Sequence, residues 1–403
     1  MKNISSQLFS KTRLMFLSIV TILTPVSNAL LDSCQFITAM NTGAPTISSY
    51  QYEGLDLVPK FRSRLKTVQM PELVTVSEDN KFVIVTDSEN GITKVYSVSL
   101  SCELSDAYDF DPGRASPNQS IAVLTNKHWI GGKGWSGYNI YFLRKSSRID
   151  VYKFYPDSGE ISQRRIATQN LTYAPIGMAY NSNNHNLYIA NNRGYTILAT
   201  SSDKLTIIDE IHSAAQILGK IQTFGNLLVA SEGFIDSSGL KRYGISSYEV
   251  GGTENPKEFT HLSQFIFKDS KEMPYDFSVS HFMGSMSVQY ILSVTTTGKK
   301  VYIFDMDSSG KLAPGSKDNI FDLGYDARFI ASTWSTNFTK FHSKLDYHRV
   351  SLLQDYGNLQ TTIASQYQNR NKFLMPELDL MYTFVTPNII APLNMVISPA
   401  PEY

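Results

Sequence analysis

Short runs of alternating apolar and polar residues recur along the chain, most of them built around a tyrosine. The clear copies are centred on Tyr50, Tyr96, Tyr152, Tyr248 and Tyr302, and weaker copies lie around Leu198 and Thr362. Alternation with a period of two predicts β-strands. Successive copies are separated by about 46 to 60 residues, a spacing typical of the blades of a β-propeller. The pattern therefore predicts seven repeating β-units.

The flanks of these runs repeat as well. Polar turns follow two of the copies, at Asp157-Ser158-Gly159 and at Asp307-Ser308-Ser309-Gly310. Glycine accepts a positive φ and aspartate bonds the local backbone, which suits a tight reversal between antiparallel strands. Upstream, residues 71–87 can be aligned with residues 175–192 as apolar strand, polar turn, apolar strand and polar exit. Each unit is therefore predicted to contain four short strands.

These residues resemble the blades of the YVTN and lactonase-like propeller superfamily. The segments SEDNKFVIVTD (residues 77–87) and NSNNHNLYIANN (residues 181–192), with KVYSV-type strands and Asp-Ser-Gly turns, carry the resemblance. It covers most of residues 34–370, although Asp79-Asn80 and Asn183-Asn184 replace the Asp-Gly turn usual in the family. The family includes lactonases and many proteins of no known activity, so the resemblance implies a fold rather than a function.

The predicted fold class is all-β, a seven-bladed β-propeller of four-stranded blades whose last blade is closed by N- and C-terminal strands. Residues 34–56 hold content for about two strands, and residues 380–397 offer the missing ones. Two packed β-sandwich domains are the alternative architecture. The domain division expected from the sequence is a signal peptide at residues 1–29 and a single propeller domain at residues 30–403.

The N-terminal segment and the cysteines both indicate export. Lys2, Lys11 and Arg13 precede the short apolar run LMFLSIVTIL, and Ser27-Asn28-Ala29 offers the small residues that a signal peptidase reads. The two cysteines, Cys34 and Cys102, both lie beyond that point. In an oxidising compartment such a pair is expected to form a disulfide. We therefore expect the protein in the periplasm, on the cell surface or outside the cell.

The charge balance of the chain disfavours two classes of partner. The 36 basic and 36 acidic residues balance, so no long-range attraction for nucleic acid or an anionic membrane arises. No later stretch is long and apolar enough to span a bilayer, so no membrane span is expected in the mature chain. The expected partner is a protein or a carbohydrate, and the chain is expected to be a monomer or part of a larger assembly.

A glycine pattern, Gly132-x-Gly134-x-x-Gly137, has the spacing of a dinucleotide-binding loop. Such a loop opens a helix, whereas the residues after Gly137 are β-branched and aromatic and predict a strand, so the match is attributed to chance. Residues 127–137 are instead predicted to be a long reversal between two strands of one blade. Its aromatic side chains, Trp129, Trp135 and Tyr138, either stack on a sugar or a partner protein or pack between blades.

Candidate metal ligands are Asp87, Asn191 and Glu232, which end the second strand of three different blades. Carboxylate and amide oxygens suit Ca²⁺, and the lactonase-like family uses such groups around a central ion. Turn-stabilising polar residues are the competing interpretation, because corresponding positions hold Arg144 and Thr295. No other cofactor is expected.

No nucleophile motif occurs, and the seven histidines are scattered. The sequence therefore favours an exported binding or scaffolding module over an enzyme. The alternative is a lactonase-like, metal-dependent hydrolase with its site in the central channel.

Overall fold

A computed structural model describes residues 33–53, 56–113, 119–129, 135–200, 205–252, 255, 257–283, 288–306, 309–312, 320–338, 344–354, 359–370, 373–385 and 391–399. The regular elements in these ranges are β-strands. None of the described segments forms a helix with the length and apolarity to cross a membrane. The predicted signal peptide, residues 1–29, lies outside the described ranges, so export signalling remains a prediction.

Sheet 1 contains strands from both ends of the described chain. Its N-terminal strands are β1 (Ser33–Asn41), β2 (Ala44–Glu53) and β3 (Asp56–Arg64), and the C-terminal strand β29 (Pro392–Pro399) pairs antiparallel with the other edge of β1. Sheet 2 contains β4 (Leu73–Val76), β5 (Phe82–Thr86), β6 (Thr93–Val98) and β7 (Leu104–Phe110). Sheet 3 contains β8 (Ser120–Trp129), β9 (Trp135–Arg144), β10 (Arg148–Tyr155), β11 (Glu160–Ile161) and β12 (Ala167–Asn170).

The remaining sheets each contain four antiparallel strands that follow one another in the chain. Sheet 4 contains β13 (Pro175–Asn181), β14 (Asn186–Asn191), β15 (Gly194–Ala199) and β16 (Thr206–His212), and sheet 5 contains β17 (Gln216–Phe224), β18 (Leu227–Ile235), β19 (Lys241–Val250) and β20 (Phe259–Ile266). Sheet 6 contains β21 (Pro274–Met283), β22 (Val288–Thr296), β23 (Lys300–Met306) and β24 (Ile320–Asp322), and sheet 7 contains β25 (Ala327–Phe338), β26 (Lys344–Gln354), β27 (Leu359–Arg370) and β28 (Phe373–Val385).

The sheets stand around a circle. The edge strands β29, β4, β8, β13, β17, β21 and β25 contact one another in this order, and β25 contacts β29 again. Hydrophobic clusters fill the spaces between neighbouring sheets, as where Phe82 of sheet 2 packs with Phe154 of sheet 3. The prediction of an all-β propeller is confirmed. The alternative of two β-sandwich domains is wrong, because the sheets follow one another around a ring instead of stacking in pairs.

Six sheets have the four strands predicted for a blade, and sheet 3 has five. In sheet 3 the outer position is divided, because β11 pairs with one end of β10 and β12 with the other. The residues between them, 162–166, leave the ladder, and one of them, Arg165, reaches the side chain of Asp150 on β10. The prediction of seven four-stranded blades therefore holds for six sheets and is wrong for sheet 3.

The tyrosine repeat marks the third strand of the sheets. Its clear copies fall in β2, β6, β10, β19 and β23, and the weaker ones fall in β15 and β27. These strands lie inside their sheets, and in β6 every residue but one is buried. Strands buried on both faces favour β-branched and aromatic residues, which explains why the sequence signal is strongest there. The outer strand β7 has three exposed and two half-buried residues among its seven, and it carries a weaker pattern.

The junction between sheets 1 and 2 is covalent. A disulfide joins Cys34 on β1 to Cys102 after β6, with Cα atoms 5.4 Å apart, and no described cysteine is free. The Thr38 hydroxyl donates to the Pro71 carbonyl at 2.7 Å across the same junction. The predicted disulfide and a sheet shared by both termini are confirmed. The expected strand division is wrong in detail, since the N-terminal part supplies three strands and β28 belongs to sheet 7.

The predicted reversal at residues 127–137 is shorter than expected. Strand β8 continues to Trp129, β9 begins at Trp135, and these two residues face each other in the ladder. Tyr138 lies within β9 rather than at its start. Both strands are rich in β-branched and aromatic residues, which favour strand pairing, so the ladder between β8 and β9 extends further than the glycine spacing suggested.

Candidate functional site

A cavity of about 440 Å³ opens between sheets 4 and 5. Sheet 4 contributes one wall from β15, β16 and the loop after β16, and sheet 5 contributes the other from β18, β19 and β20. The lining residues are Tyr195, Ile211, His212, Ser213, Ala214, Ala215, Glu232, Tyr248, Phe259, His261 and Gln264. Aromatic, imidazole, amide and carboxylate groups thus meet in one concave space between two blades.

Glu232 is the buried acid of this cavity, with 1% of its surface exposed. Its Oε1 accepts hydrogen bonds from the phenols of Tyr195 at 3.0 Å and Tyr248 at 2.5 Å. Its Oε2 accepts one from the Ser246 hydroxyl at 2.6 Å. Tyr195 belongs to sheet 4 and the other groups to sheet 5, so the carboxylate also ties the two walls together.

The two tyrosines remain protonated donors. Burial raises the pKa of Tyr195, and the negative charge of Glu232 raises it further. Burial and Glu232 raise the pKa of Tyr248 in the same way. A phenol beside a buried carboxylate loses its proton less readily, because two negative charges would then face each other. Both phenols therefore donate hydrogen bonds to Glu232 at every physiological pH.

Aromatic rings from both sheets line one side of the cavity. Phe259 packs on Tyr195 and on Tyr248, with ring centroids 4.8 Å apart in each case. The two tyrosine rings themselves meet edge to face at 5.6 Å. His261 meets the Tyr248 ring at 5.3 Å and is exposed at the surface. Mutual packing fixes these rings, so the cavity presents a rigid aromatic surface.

One glycine allows the sheet 4 wall to form. Gly194 has φ +138 and lies at the start of β15, opposite His212 of β16. A Cβ atom there would lie 2.1 Å from the Ile211 carbonyl oxygen and 2.8 Å from the Ser213 nitrogen. The backbone that carries the cavity loop therefore approaches β15 more closely than any side chain would allow.

Asp87 lies directly after a second strand and Asn191 lies in one, as predicted. Each makes hydrogen bonds to residues of its own sheet or the adjoining loops. The Asp87 carboxylate accepts backbone N–H groups from four residues at 2.8 to 3.2 Å. Asn191 donates to the Thr196 hydroxyl and accepts the Arg193 N–H. Neither shares a partner with Glu232, so the structure assigns the three candidates to three separate hydrogen-bond networks.

Within the described ranges, no group of three or more His, Cys, Asp or Glu side chains is arranged to hold a metal ion. The Ca²⁺ site at Asp87, Asn191 and Glu232 stays a prediction.

The predicted aromatic platform is described only in part. Tyr138 is half-buried and meets Phe154 at 6.3 Å in an edge contact. Burial raises the pKa of Tyr138 to about 12, assisted by the charges of Asp79 and Glu78. The side chains of Trp129 and Trp135 lie outside the described residues, so their part in binding or packing stays a prediction.

Sequence reasoning missed most of the cavity. Glu232 was singled out, but as a metal ligand, and Tyr248 was recognised only as a member of the repeat. Glu232 lies in β18 and Tyr248 in the next strand, β19. This order of an acid followed by a tyrosine in consecutive strands is the signal that could have linked them. Tyr195 and His261 carry no such signal, because they meet the site from a neighbouring sheet or an outer strand.

No family model and no curated protein matches the chain. Solved structures match at the level of fold. A protein of Bacteroides uniformis assigned as a 6-phosphogluconolactonase is 13% identical with a TM-score of 0.58, covering 91% of this chain and 99% of its own. A protein of Lactobacillus plantarum is 11% identical with a TM-score of 0.58, covering 91% and 99%. The periplasmic gluconolactonase of Pseudomonas aeruginosa is 10% identical with a TM-score of 0.54, covering 92% and 100%.

These likenesses concern the architecture. At such identities they show a lactonase-like propeller fold and carry no activity to this chain.

Proposed function

We propose that the protein is an exported binding module that takes a carbohydrate ligand into the cavity between sheets 4 and 5. The observation that carries the proposal is the cavity itself, whose volume of about 440 Å³ lies in the range of small-molecule sites. Aromatic rings offer flat faces for a sugar ring, and Glu232, Gln264 and the histidines offer groups for its hydroxyls.

Rigidity supports this proposal. The hydrogen bond from Tyr195 to Glu232 crosses between the sheets, and Phe259 packs on both tyrosines. A site that is already ordered loses less conformational freedom when a ligand binds. The names of two fold neighbours refer to sugar lactones, which makes sugars the first ligands to test.

Export is supported by the disulfide between Cys34 and Cys102, because such bonds persist in oxidising compartments. We propose that the predicted signal peptide at residues 1–29 directs the chain there.

We also propose that sheet 3 is a full blade despite its fifth strand, which makes the ring seven-bladed. The support is that its edge strand β8 contacts β4 on one side and β13 on the other.

The binding proposal is tested with a panel of mono- and disaccharides, measured by calorimetry and by ligand-observed NMR. We expect at least one sugar to bind the wild type and to lose about tenfold in affinity in a His261→Ala, Gln264→Ala double variant, which removes roughly 1.4 kcal/mol of polar contacts. Thr260→Ala changes an exposed residue of the same strand that does not line the cavity, and serves as the control. Binding that is equal in all three proteins would place the site elsewhere and refute the proposal.

The competing function is a lactonase-like hydrolase that depends on a metal ion. It predicts hydrolysis of sugar lactones that requires Ca²⁺ and is lost in Asp87→Asn. The binding proposal predicts lactone hydrolysis no faster than in buffer, with or without Ca²⁺.

A further inference from the structure

The charge of the cavity between sheets 4 and 5 restricts the ligand further than its shape. Glu232 lines the cavity, is nearly completely buried, and receives hydrogen bonds from three hydroxyl groups. Hydroxyl donors are electrically neutral, so they solvate the carboxylate without cancelling its charge. The negative charge of the buried carboxylate therefore remains at the cavity wall.

A second buried acid shows the contrast. Asp150 in sheet 3 is contacted by three guanidinium groups, those of Arg144, Arg148 and Arg165, at 2.8 to 3.0 Å. Within the described part of the chain, no lysine or arginine lies within ion-pair distance of Glu232. Among the described residues, arginines thus neutralise the buried carboxylate of Asp150, whereas no lysine or arginine pairs with Glu232 at the cavity.

The aromatic wall adds to the same preference. The faces of aromatic rings carry partial negative charge and attract cations. Tyr195, Tyr248 and Phe259 surround the carboxylate side of the cavity. The other titratable groups that line it are His212 and His261, both exposed.

Resting on the proposed carbohydrate-binding function, we propose that the ligand carries a positively charged ammonium group, and that the cavity selects amino sugars over neutral sugars. The ammonium group binds the carboxylate of Glu232, and the sugar ring lies against the aromatic wall. A buried carboxylate gains most from a cationic partner, because the low local dielectric strengthens their attraction.

The test compares two disaccharides with the same sugar backbone: the glucosamine disaccharide, whose free amines are protonated, and its N,N′-diacetylated form, whose amides are neutral. Binding is measured by calorimetry at a fixed pH at which the amines are protonated. We expect the free-amine sugar to bind about tenfold more tightly, and the ratio to fall towards one in Glu232→Gln.

Glu272→Gln is the matched control. Glu272 is buried just before β21 of sheet 6 and accepts hydrogen bonds from the hydroxyls of Thr296 and Tyr302 at 2.6 to 3.1 Å, but it does not line this cavity. This variant should keep the tenfold preference. If Glu232→Gln fails to fold, His261→Lys replaces it, because it adds a positive charge to the exposed cavity wall. It should lower the preference, whereas His261→Gln should not.

The outcomes separate the two proposals. Binding of both disaccharides with equal affinity would overturn the ammonium preference and leave the carbohydrate proposal standing. A preference that survives in both Glu232→Gln and His261→Lys would also overturn it. Failure of every sugar, charged or neutral, to bind would refute the carbohydrate function itself.

Discussion

Single side chains decide how this propeller accommodates buried charge, and Asp150 is the clearest case. It is 1% exposed, and its two oxygens together receive Arg144, Arg148, Arg165 and the Thr168 hydroxyl. Arg144 is also fully buried and lies over the Phe142 ring at 4.7 Å. Removing that carboxylate therefore takes away the negative charge shared by the buried Arg144, the half-buried Arg148 and the exposed Arg165.

We predict that Asp150→Asn destabilises the protein by about 3 to 5 kcal/mol, the usual cost of breaking a buried ion pair from one side. Chemical denaturation followed by fluorescence measures the change. Asp157→Asn, at an exposed position of the next turn, is the control and should stay within about 0.5 kcal/mol of the wild type. Equal stability of the two variants would contradict the role given to Asp150.

The same residue predicts a pH dependence. Burial alone would raise the pKa of Asp150, but Arg165, Arg144 and Arg148 together bring it below its usual value. A carboxyl group with a lowered pKa stabilises the fold above its unfolded pKa, near 4, and this contribution is lost as the pH falls through the folded pKa.

Thermal unfolding between pH 6 and pH 3 tests this prediction. The wild type should lose more stability over that interval than Asp150→Asn, whose side chain does not titrate. Parallel curves for the two proteins would show that Asp150 does not govern the acid response.

At the scale of single residues, the sequence indicated which residues to consider but not which of them contact one another. Glu232 and Tyr248 could be singled out because the sequence predicts a strand end at the first, although β18 continues to Ile235, and places the second in a repeat. Their meeting with Tyr195 could not be foreseen, because a contact between blades depends on the ring geometry and leaves no local spacing. For the same reason Asp150 was passed over, since its three arginines approach from a strand end, a hairpin and a loop.

Among the elements, the polar turns after the third strands do more than reverse the chain. Gly159 lies in the turn between β10 and β11 with φ +72, and a Cβ atom there would come within 2.7 Å of the Phe82 ring in sheet 2. Gly310 stands similarly against Leu227 and Leu262 of sheet 5. The sequence predicted the Asp157-Ser158-Gly159 turn correctly, whereas Asp307 and Ser308 of the other turn lie outside the described residues. It did not show that the turns pack on the preceding sheet, because turn propensity reports only local backbone conformation.

We predict that Gly159→Ala destabilises the protein by about 1 to 3 kcal/mol more than Gly324→Ala. Both glycines have φ +72, so both variants carry the same backbone strain, but nothing lies within 4 Å of a Cβ at Gly324. The difference between their unfolding free energies isolates the clash with Phe82. If the two variants lose equal stability, the turn does not pack against sheet 2 in solution.

For the whole molecule, ring closure combines a disulfide with a sheet made from both ends. The bond between Cys34 and Cys102 closes a loop of 68 residues and connects sheets 1 and 2. The pairing was predicted from the count of two cysteines and an export signal. The partition of the strands was not, because residues 56–64 have no alternation strong enough to mark β3.

We predict that loss of this disulfide lowers the unfolding free energy by about 4 kcal/mol, on the chain-entropy estimate for a loop of this length. Urea unfolding of the oxidised and reduced wild type measures it without any change in core volume. A Cys34→Ala, Cys102→Ala variant should resemble the reduced protein. Identical midpoints for the oxidised and reduced forms would show that the crosslink does not stabilise the fold.

The pairing of β29 with β1 also sets an order of events during synthesis. Strand β1 precedes all the other described strands in the chain and its neighbour β29 follows them, so that edge of β1 stays unpaired until β29 has been made. An open strand edge is a site for wrong pairing with other chains. Cys102 follows Cys34 by only 68 residues, so the crosslink can form long before β29 arrives. If the crosslink forms at that stage, it holds sheet 1 against sheet 2 until β29 completes sheet 1.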